Sequence, residues 1–358
     1  MDRQGQKASP PRLVAWETTR ACNLACRHCR AEAWPAPAPG ELDGAESMDL
    51  LARLATFSPP PMVILSGGEP LMRPDILDLA RQGTFLGLRM LLSTNGTLLS
   101  PSLAKEIKKA GVRRLSLSLD APEAPVHDAF RGLPGSFAAT VESSALLKAE
   151  GLPFQINSTI TPDNIGQTEA ISTLALSLGA VAHHVFLLVP VGRARDWGGS
   201  GLPPDAYEEA LTRLRRREGS IGLEFKATCA PQYNRISRQL ALPIPPRSGR
   251  GCLGGQGFMF VSHDGRVGAC GYLPLEAGNV RQAHPVDIYE NSELFRALRD
   301  RERYRGRCRD CEYWDVCGGC RARAHAQGDY LGPEPLCPHQ PGKARPAAEA
   351  RRTEAKAC

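Results

Sequence analysis

The chain has 358 residues, 23% of them charged and 42% apolar, with a formal net charge of +6 and 12 cysteines. That length suits one large α/β domain plus a smaller module, each with its own core. The lysines and arginines are spread along the chain, which argues against a nucleic-acid partner and leaves the mild basic excess to an anionic substrate or an acidic electron donor.

Met1 to Pro11 is polar and lacks the apolar stretch of a signal peptide. Six β-type runs follow: Leu13–Thr18, Met62–Ser66, Met90–Ser93, Arg114–Leu119, Phe154–Ile160 and His184–Val189. Between most of them the apolar residues recur at helical spacing, over Ala45–Ala55, Asp75–Leu86, Ser102–Ala110, Ala138–Glu150 and Gln167–Leu178. Strands alternating with helices predict parallel βαβ units, and six such units suit a partial (β/α)6, TIM-like barrel with its chemistry at the C-terminal strand ends. The most apolar long window, Leu174–Val189, is interrupted by His183 and His184 and is too short to span a bilayer. The expectation is a cytoplasmic protein with no membrane partner, whose thiols stay reduced and serve metal or cluster binding.

Beyond Gly192 the pattern changes. Pro204–Arg217 reads as a helix, and a cysteine- and glycine-rich region runs from Cys229 to Cys337. Within it, Phe258–Ser262 and Arg266–Cys270 flank Asp264-Gly265, the signature of a hairpin turn. The chain is therefore divided into a tail at 1–11, an α/β domain at 12–215, a cysteine-rich domain at 216–340 and a disordered tail at 341–358.

Cys22, Cys26 and Cys29 follow the first predicted strand, so one loop can wrap three thiolates around a centre. Three thiolates on a 4Fe–4S cube leave one iron open for a ligand, whereas closed electron-transfer clusters use four. A zinc site completed by His28 uses the same residues and stays open on spacing alone. The second strand ends in Ser66-Gly67-Gly68-Glu69-Pro70, where glycines admit a close ligand and Glu69 can pair with an ammonium group. Together the two motifs resemble the radical S-adenosylmethionine (SAM) superfamily. The resemblance implies that Cys22, Cys26 and Cys29 hold the catalytic 4Fe–4S cluster and that Gly67, Gly68 and Glu69 bind the methionine end of SAM. It also implies that Asn95, Ser118, Asp120, Arg131 and Asn157 contact SAM at later strand ends.

The second array is Cys252, Cys270, Cys308, Cys311, Cys317, Cys320 and Cys337. Zinc is compatible with four such thiols taken alone. As a whole the array resembles the SPASM extension of radical SAM enzymes, with one or two auxiliary 4Fe–4S clusters. Two residues separate Cys317 from Cys320 where that pattern has three, so the ligand pairing is left open. The resemblance implies an outer cluster on Cys308, Cys311, Cys317 and Cys337. It implies an inner one on Cys252, Cys270 and Cys320, with Cys229 as fourth ligand or facing the substrate. Cys358 is left in the tail.

Leu13-Val14-Ala15-Trp16-Glu17, Cys29-Arg30-Ala31-Glu32-Ala33, Gly132-Leu133-Pro134-Gly135 and Cys317-Gly318-Gly319-Cys320-Arg321 are similar to haem-pathway members of the superfamily. The similarity covers residues 12–340 and is greatest to the haem-synthase branch. It implies an iron-tetrapyrrole substrate, a flavodoxin- or ferredoxin-like electron donor, and conversion of two propionates of iron-coproporphyrin III to vinyl groups. A 5′-deoxyadenosyl radical would start the reaction, and an auxiliary cluster would accept the leftover electron. Arg131, Arg193, Lys226 and Arg235 are candidate carboxylate partners, and His28, His183, His184 and His263 candidate iron ligands. Removal of acetate or propionate side chains from siroheme-derived tetrapyrroles, and peptide modification, are the competing expectations.

Overall fold

A computed structural model describes residues 8–195, 202–220, 222–244 and 251–342. The tail expected beyond them, with Cys358, and residues 1–7 lie outside the described residues. In chain order the elements are β1 (Leu13–Glu17), α1 (Gly44–Leu54), β2 (Met62–Ser66), α2 (Ile76–Phe85), β3 (Arg89–Thr94), α3 (Pro101–Lys109), β4 (Leu115–Ser118), α4 (Ala124–Arg131) and α5 (Ser136–Ala149). They continue as β5 (Phe154–Ile160), α6 (Thr168–Leu178), β6 (Ala182–Leu187), α7 (Pro204–Arg217), β7 (Glu224–Thr228) and α8 (Gln232–Gln239). The C-terminal part holds β8 (Phe258–Val261), β9 (Arg266–Gly268), β10 (Gly278–Asn279), α9 (Pro285–Asn291), α10 (Glu293–Arg299), α11 (Gly306–Asp310) and α12 (Arg321–Ala326).

The ten strands of the described residues form one sheet in the order β10-β9-β8-β1-β2-β3-β4-β5-β6-β7. The strands from β8 through β1 to β7 are parallel. The expected α/β architecture is therefore present, with β7 and β8 added on either side of the six expected strands. β8 enters by pairing with β1, Leu13 opposite Phe258, and makes the expected hairpin with β9. Gly265 holds that turn with φ +83°, where a side chain would be strained.

Side chains alternate along the strands. Val14, Trp16, Val63, Leu65, Met90, Leu92, Leu115 and Leu117 pack outward into the core with Leu50, Leu51, Leu54 and Leu79 of the helices. The opposite set lines a single cavity of about 1380 Å³, which the curled sheet surrounds. Helix starts follow the local chemistry: Asp43 and Glu46 form a reciprocal cap on α1, and Ser100 accepts from Leu103 N–H at α3. No helix of the described residues is long and apolar enough to cross a membrane.

Candidate active site

The loop after β1 carries Cys22, Cys26 and Cys29, and all three line the cavity. Its backbone is locked from several sides. Gly68 N–H donates to Thr19 O at 2.8 Å and Glu69 N–H to Ala21 O at 2.7 Å. A Cβ on Gly67 would stand 2.4 Å from Thr19 O, and one on Gly68 2.4 Å from Ala21 O, so only glycine lets the two loops touch. Arg193 donates to Cys26 O and Ala33 O, each at 2.9 Å.

The thiols sit among donors. Leu24 N–H faces Cys22 Sγ and Ala33 N–H faces Cys29 Sγ, both at 3.4 Å, while Arg131 Nη1 lies 3.9 Å from Cys26 Sγ. Burial pushes the Cys22 thiol up to about 12 and also raises Cys26. Buried thiols that resist ionisation alone, yet face N–H donors and a guanidinium, suit thiolates neutralised by a bound metal centre. These three fit the open-site cluster. No disulfide joins any described cysteine.

The expected SAM contacts divide into two groups. Gly67, Gly68, Asn95, Ser118, Arg131 and Asn157 line the cavity. Glu69 and Asp120 lie behind it. Glu69 is fully buried, and its carboxylate accepts from Leu71 N–H at 3.0 Å, Thr94 O–H at 2.7 Å and Asn95 N–H at 2.7 Å. Burial outweighs those donors and raises its pKa to about 7. Asp120 makes an ion pair at 2.6 Å with Arg131 and accepts from Thr159 N–H. Asp120 thus aims Arg131, and Glu69 ties the β2 end to the β3 end.

Cys229, Cys252, Cys270 and Cys320 line the same cavity as the first three cysteines. Burial, then the neighbouring Cys320 and Cys270, raises the Cys229 thiol. Cys229 therefore belongs with this inner group, and its φ of +56° marks a backbone bent to bring it there. Cys308, Cys311, Cys317 and Cys337 line a separate small cavity together with Trp314 and His339. Cys308 Sγ accepts from Glu334 N–H at 3.3 Å and faces Arg321 Nη2 at 3.7 Å. The outer four share one small cavity, and Cys229 has Cys320, Cys270 and Cys252 as its electrostatic neighbours, so each group can offer the four thiols that a closed 4Fe–4S cluster requires. His339 is an addition that spacing did not flag: its ring, Glu312 and Cys311 bring ligand atoms within 4.8 Å of one another.

The cysteine loop after β1 and the β8–β9 turn meet at Glu17. Arg30 pairs with it at 2.6 Å and His263 at 2.8 Å. Burial would raise this carboxyl, but Arg30 and His263 overcome it and hold it at about 2. Arg30 also donates to Gly271 O beside Cys270, which couples the first cysteine loop to the inner group.

The candidate substrate ligands are sorted by their partners. Arg235 is a correction: it is buried, bonded twice to Glu208 at 2.7 and 2.5 Å, and lines the small outer cavity. His263 is taken by Glu17, and His183 by Ser158 and Ser172, each at 2.8 Å. His28 stacks on Phe130 with centroids 4.4 Å apart. Lys226, Arg131, Arg193, His28 and His184 line the main cavity. Gln155, Arg114 and Thr159 join them unforeseen. Their signal was available: parallel strands are usually apolar on both faces, and β4 to β6 are not.

Burial holds the pKa of His183 at about 4. A histidine depressed from its ordinary 6.5 adds stability that is complete above 6.5 and lost as pH falls through 4. By pH 5 the loss is about 2 kcal/mol. The urea midpoint of the anaerobic protein should therefore fall more steeply from pH 6.5 to 5 than that of His183→Gln; parallel curves would contradict the buried neutral ring.

Residues 16–175 match the family model described as Radical SAM superfamily, and residues 252–312 match the Iron-sulfur cluster-binding domain, SPASM. The AdoMet-dependent heme synthase of Oleidesulfovibrio alaskensis is 47% identical over 98% of this chain and 92% of its own. That of Methanosarcina barkeri is 46% identical over 93% of this chain and 98% of its own. Streptococcus suis SuiB, crystallised with its precursor peptide SuiA, superposes with a TM-score of 0.74 at 16% identity, covering 93% of this chain and 77% of SuiB.

Proposed function

The chain belongs to the radical SAM superfamily, in the group of the AdoMet-dependent heme synthases, and from that premise we propose that it converts two propionates of iron-coproporphyrin III to vinyl groups. It is a SAM-dependent enzyme with 4Fe–4S clusters. When bound, the clusters and SAM supply a 5′-deoxyadenosyl radical and a one-electron acceptor. We assign Cys22, Cys26 and Cys29 to the SAM cluster and Cys229, Cys252, Cys270 and Cys320 to the inner auxiliary one. Cys308, Cys311, Cys317 and Cys337 would hold an outer cluster facing a flavodoxin- or ferredoxin-like donor. In the net reaction each propionate loses a hydrogen atom, carbon dioxide and one electron.

One observation carries the substrate reading: the cavity has two chemically different walls. Leu13, Ala15, Met62, Ile64, Leu91 and Phe260, from β1, β2, β3 and β8, make one wall mainly apolar, with Ser66, Arg89 and Ser93 at or near the strand ends. Ser116, Gln155, Asn157, Thr159, His184 and Lys226, from β4 to β7, make the other polar. An apolar macrocycle with carboxylate arms matches that division. The apolar wall would hold the ring, the polar wall the arms, and Arg131, fixed by Asp120, would face the cluster end.

The test is anaerobic incubation of the reconstituted enzyme with SAM, dithionite and iron-coproporphyrin III, followed by mass spectrometry. Haem is the expected product, with each converted propionate lighter by carbon dioxide and two hydrogens. Loss of whole side chains, or turnover of a siroheme derivative instead, would replace this reading with side-chain removal. No tetrapyrrole turnover at all would overturn it.

A further inference from the structure

Arg114, just before β4, and polar groups on the inner face of β5 and β6 form a short directed chain. Arg114 Nη1 lies 3.3 Å from Gln155 Oε1. A guanidinium only donates, so the amide oxygen is the atom that must face it. The amide nitrogen then donates both to Asn157 Oδ1 and to His184 Nδ1, each at 2.9 Å. His184 Nδ1 is thereby an acceptor. Burial, with Lys226 and Arg114 nearby, lowers the His184 pKa to about 3, so the ring is neutral. A neutral imidazole that accepts at Nδ1 carries its proton at Nε2.

That Nε2–H is buried and has no hydrogen-bond partner among the described residues. A buried donor left unpaired costs about 1–3 kcal/mol. His184 lines the cavity, and its neighbours in register are Asn157 on β5 and Lys226 on β7. Lys226 also lines the cavity and has no hydrogen bond or ion pair with another described residue. Burial and Arg12 lower its pKa, against the pull of Glu224. Glu224 itself reaches Arg114 at 3.9 Å. One neutral donor beside one unpaired ammonium is a site for a single negative charge. It does not suit a metal, because the Nε2 lone pair is absent in this tautomer; His184 is therefore not the ligand of the substrate iron.

We propose that His184 Nε2–H and Lys226 Nζ together bind one carboxylate of the substrate, with Arg114, Gln155 and Asn157 as positioning residues that fix the imidazole. The inference rests on the tetrapyrrole reading above and deepens it: it assigns a polar anchor on the barrel wall, apart from the cysteine loop. The anchor selects a ring that bears carboxylate arms over one that does not.

The experiment is a Soret titration of the cluster-loaded enzyme with iron-coproporphyrin III and with iron octaethylporphyrin, which has a similar ring and no carboxylates. His184→Leu and Lys226→Met should each raise Kd for iron-coproporphyrin III roughly 10- to 100-fold, the range for a hydrogen bond to a charged group. Their Kd for the carboxylate-free ring should stay at the wild-type value. Lys226→Arg, which keeps a cation, should recover most of the loss, and it and Lys226→Met decide the matter if His184→Leu does not fold. Wild-type Kd for iron-coproporphyrin III in both variants would overturn the anchor while leaving the tetrapyrrole reading intact. Equal weakening toward both rings would also overturn it. Failure of the wild-type enzyme to bind iron-coproporphyrin III would overturn the tetrapyrrole reading and the anchor with it.

Discussion

Cys26→Ala should reduce dithionite-driven formation of 5′-deoxyadenosine to the background of cluster-free protein, while Cys311→Ala retains a substantial part of it. The difference follows from placement. Cys26 is one of three thiols in the β1 loop, and no fourth cysteine of that loop can replace it. Its sulfur is also the one that faces Arg131, whose position depends on Asp120. On the proposed assignment, loss of the thiolate removes a cluster ligand and leaves that guanidinium with one anionic partner fewer. Cys311 lines the small cavity with Cys308, Cys317 and Cys337, outside the cavity where SAM would be cleaved. Its replacement should lower the iron content and slow substrate turnover more than SAM cleavage. Normal 5′-deoxyadenosine formation by Cys26→Ala would show that the first cluster is assigned to the wrong residues. Equal loss in both variants would show that the two cysteine groups do not act separately.

The parts of this molecule that were legible in the sequence are those governed by local rules. Their short β-type runs located β2 and β5 to the residue, because Val63 and Leu65, or Phe154 and Ile156, must meet the helices. The β6 segment lies two residues earlier than its apolar run suggests. The reason is His183, a polar residue that packs outward because Ser158 and Ser172 satisfy both ring nitrogens. β7 was missed because Glu224, Lys226 and Thr228 are its inward residues and make the segment read as polar. Helix α4 was missed as well: of its residues only His127, Phe130 and Arg131 are buried, too few for an apolar stripe.

The cysteines were legible because spacing within a loop limits which thiols can share a centre. Their surroundings were not. Nothing local says that β8 pairs with β1, more than two hundred residues away in the chain, or that Glu17 will meet both Arg30 and His263. The same holds for Asp120 and Glu69. Each stands where a ligand contact is expected, and each accepts hydrogen bonds from a neighbouring strand, while Asp120 also pairs with Arg131 at the end of α4. Strand-end polar residues fall into those that face the ligand and those that hold them, and only the assembled sheet separates the two.

Glu334→Ala should be among the most damaging substitutions outside the cysteines. Glu334 is fully buried and Arg323 is 2% exposed, and their ion pair closes at 2.9 Å. The same carboxylate accepts from Cys320 N–H at 2.6 Å and Leu336 N–H at 3.2 Å, while Arg323 donates to Cys229 O at 2.6 Å. Two cysteines of the inner group are therefore fixed through one charge pair. The Glu334 backbone N–H reaches Cys308 of the outer group and survives any side-chain change. Removing the carboxylate leaves Arg323 as a buried unpaired charge, a loss of about 3–5 kcal/mol. It also leaves Cys320 N–H without its acceptor, and the loop that presents the thiol is freed. The expected result is a Tm several degrees lower and an inner cluster lost before the outer one. The readouts are iron and sulfide per chain, together with electron paramagnetic resonance of the reduced protein. Glu334→Gln, which keeps an acceptor oxygen but not the charge, should fall between Glu334→Ala and wild type. SAM cleavage at the β1 loop should outlast haem formation in both variants, since Cys22, Cys26 and Cys29 share no hydrogen bond or ion pair with Glu334 or Arg323. Wild-type iron content and Tm in Glu334→Ala would mean that the buried pair fixes neither Cys229 nor Cys320, and that the inner group is held by its own loops.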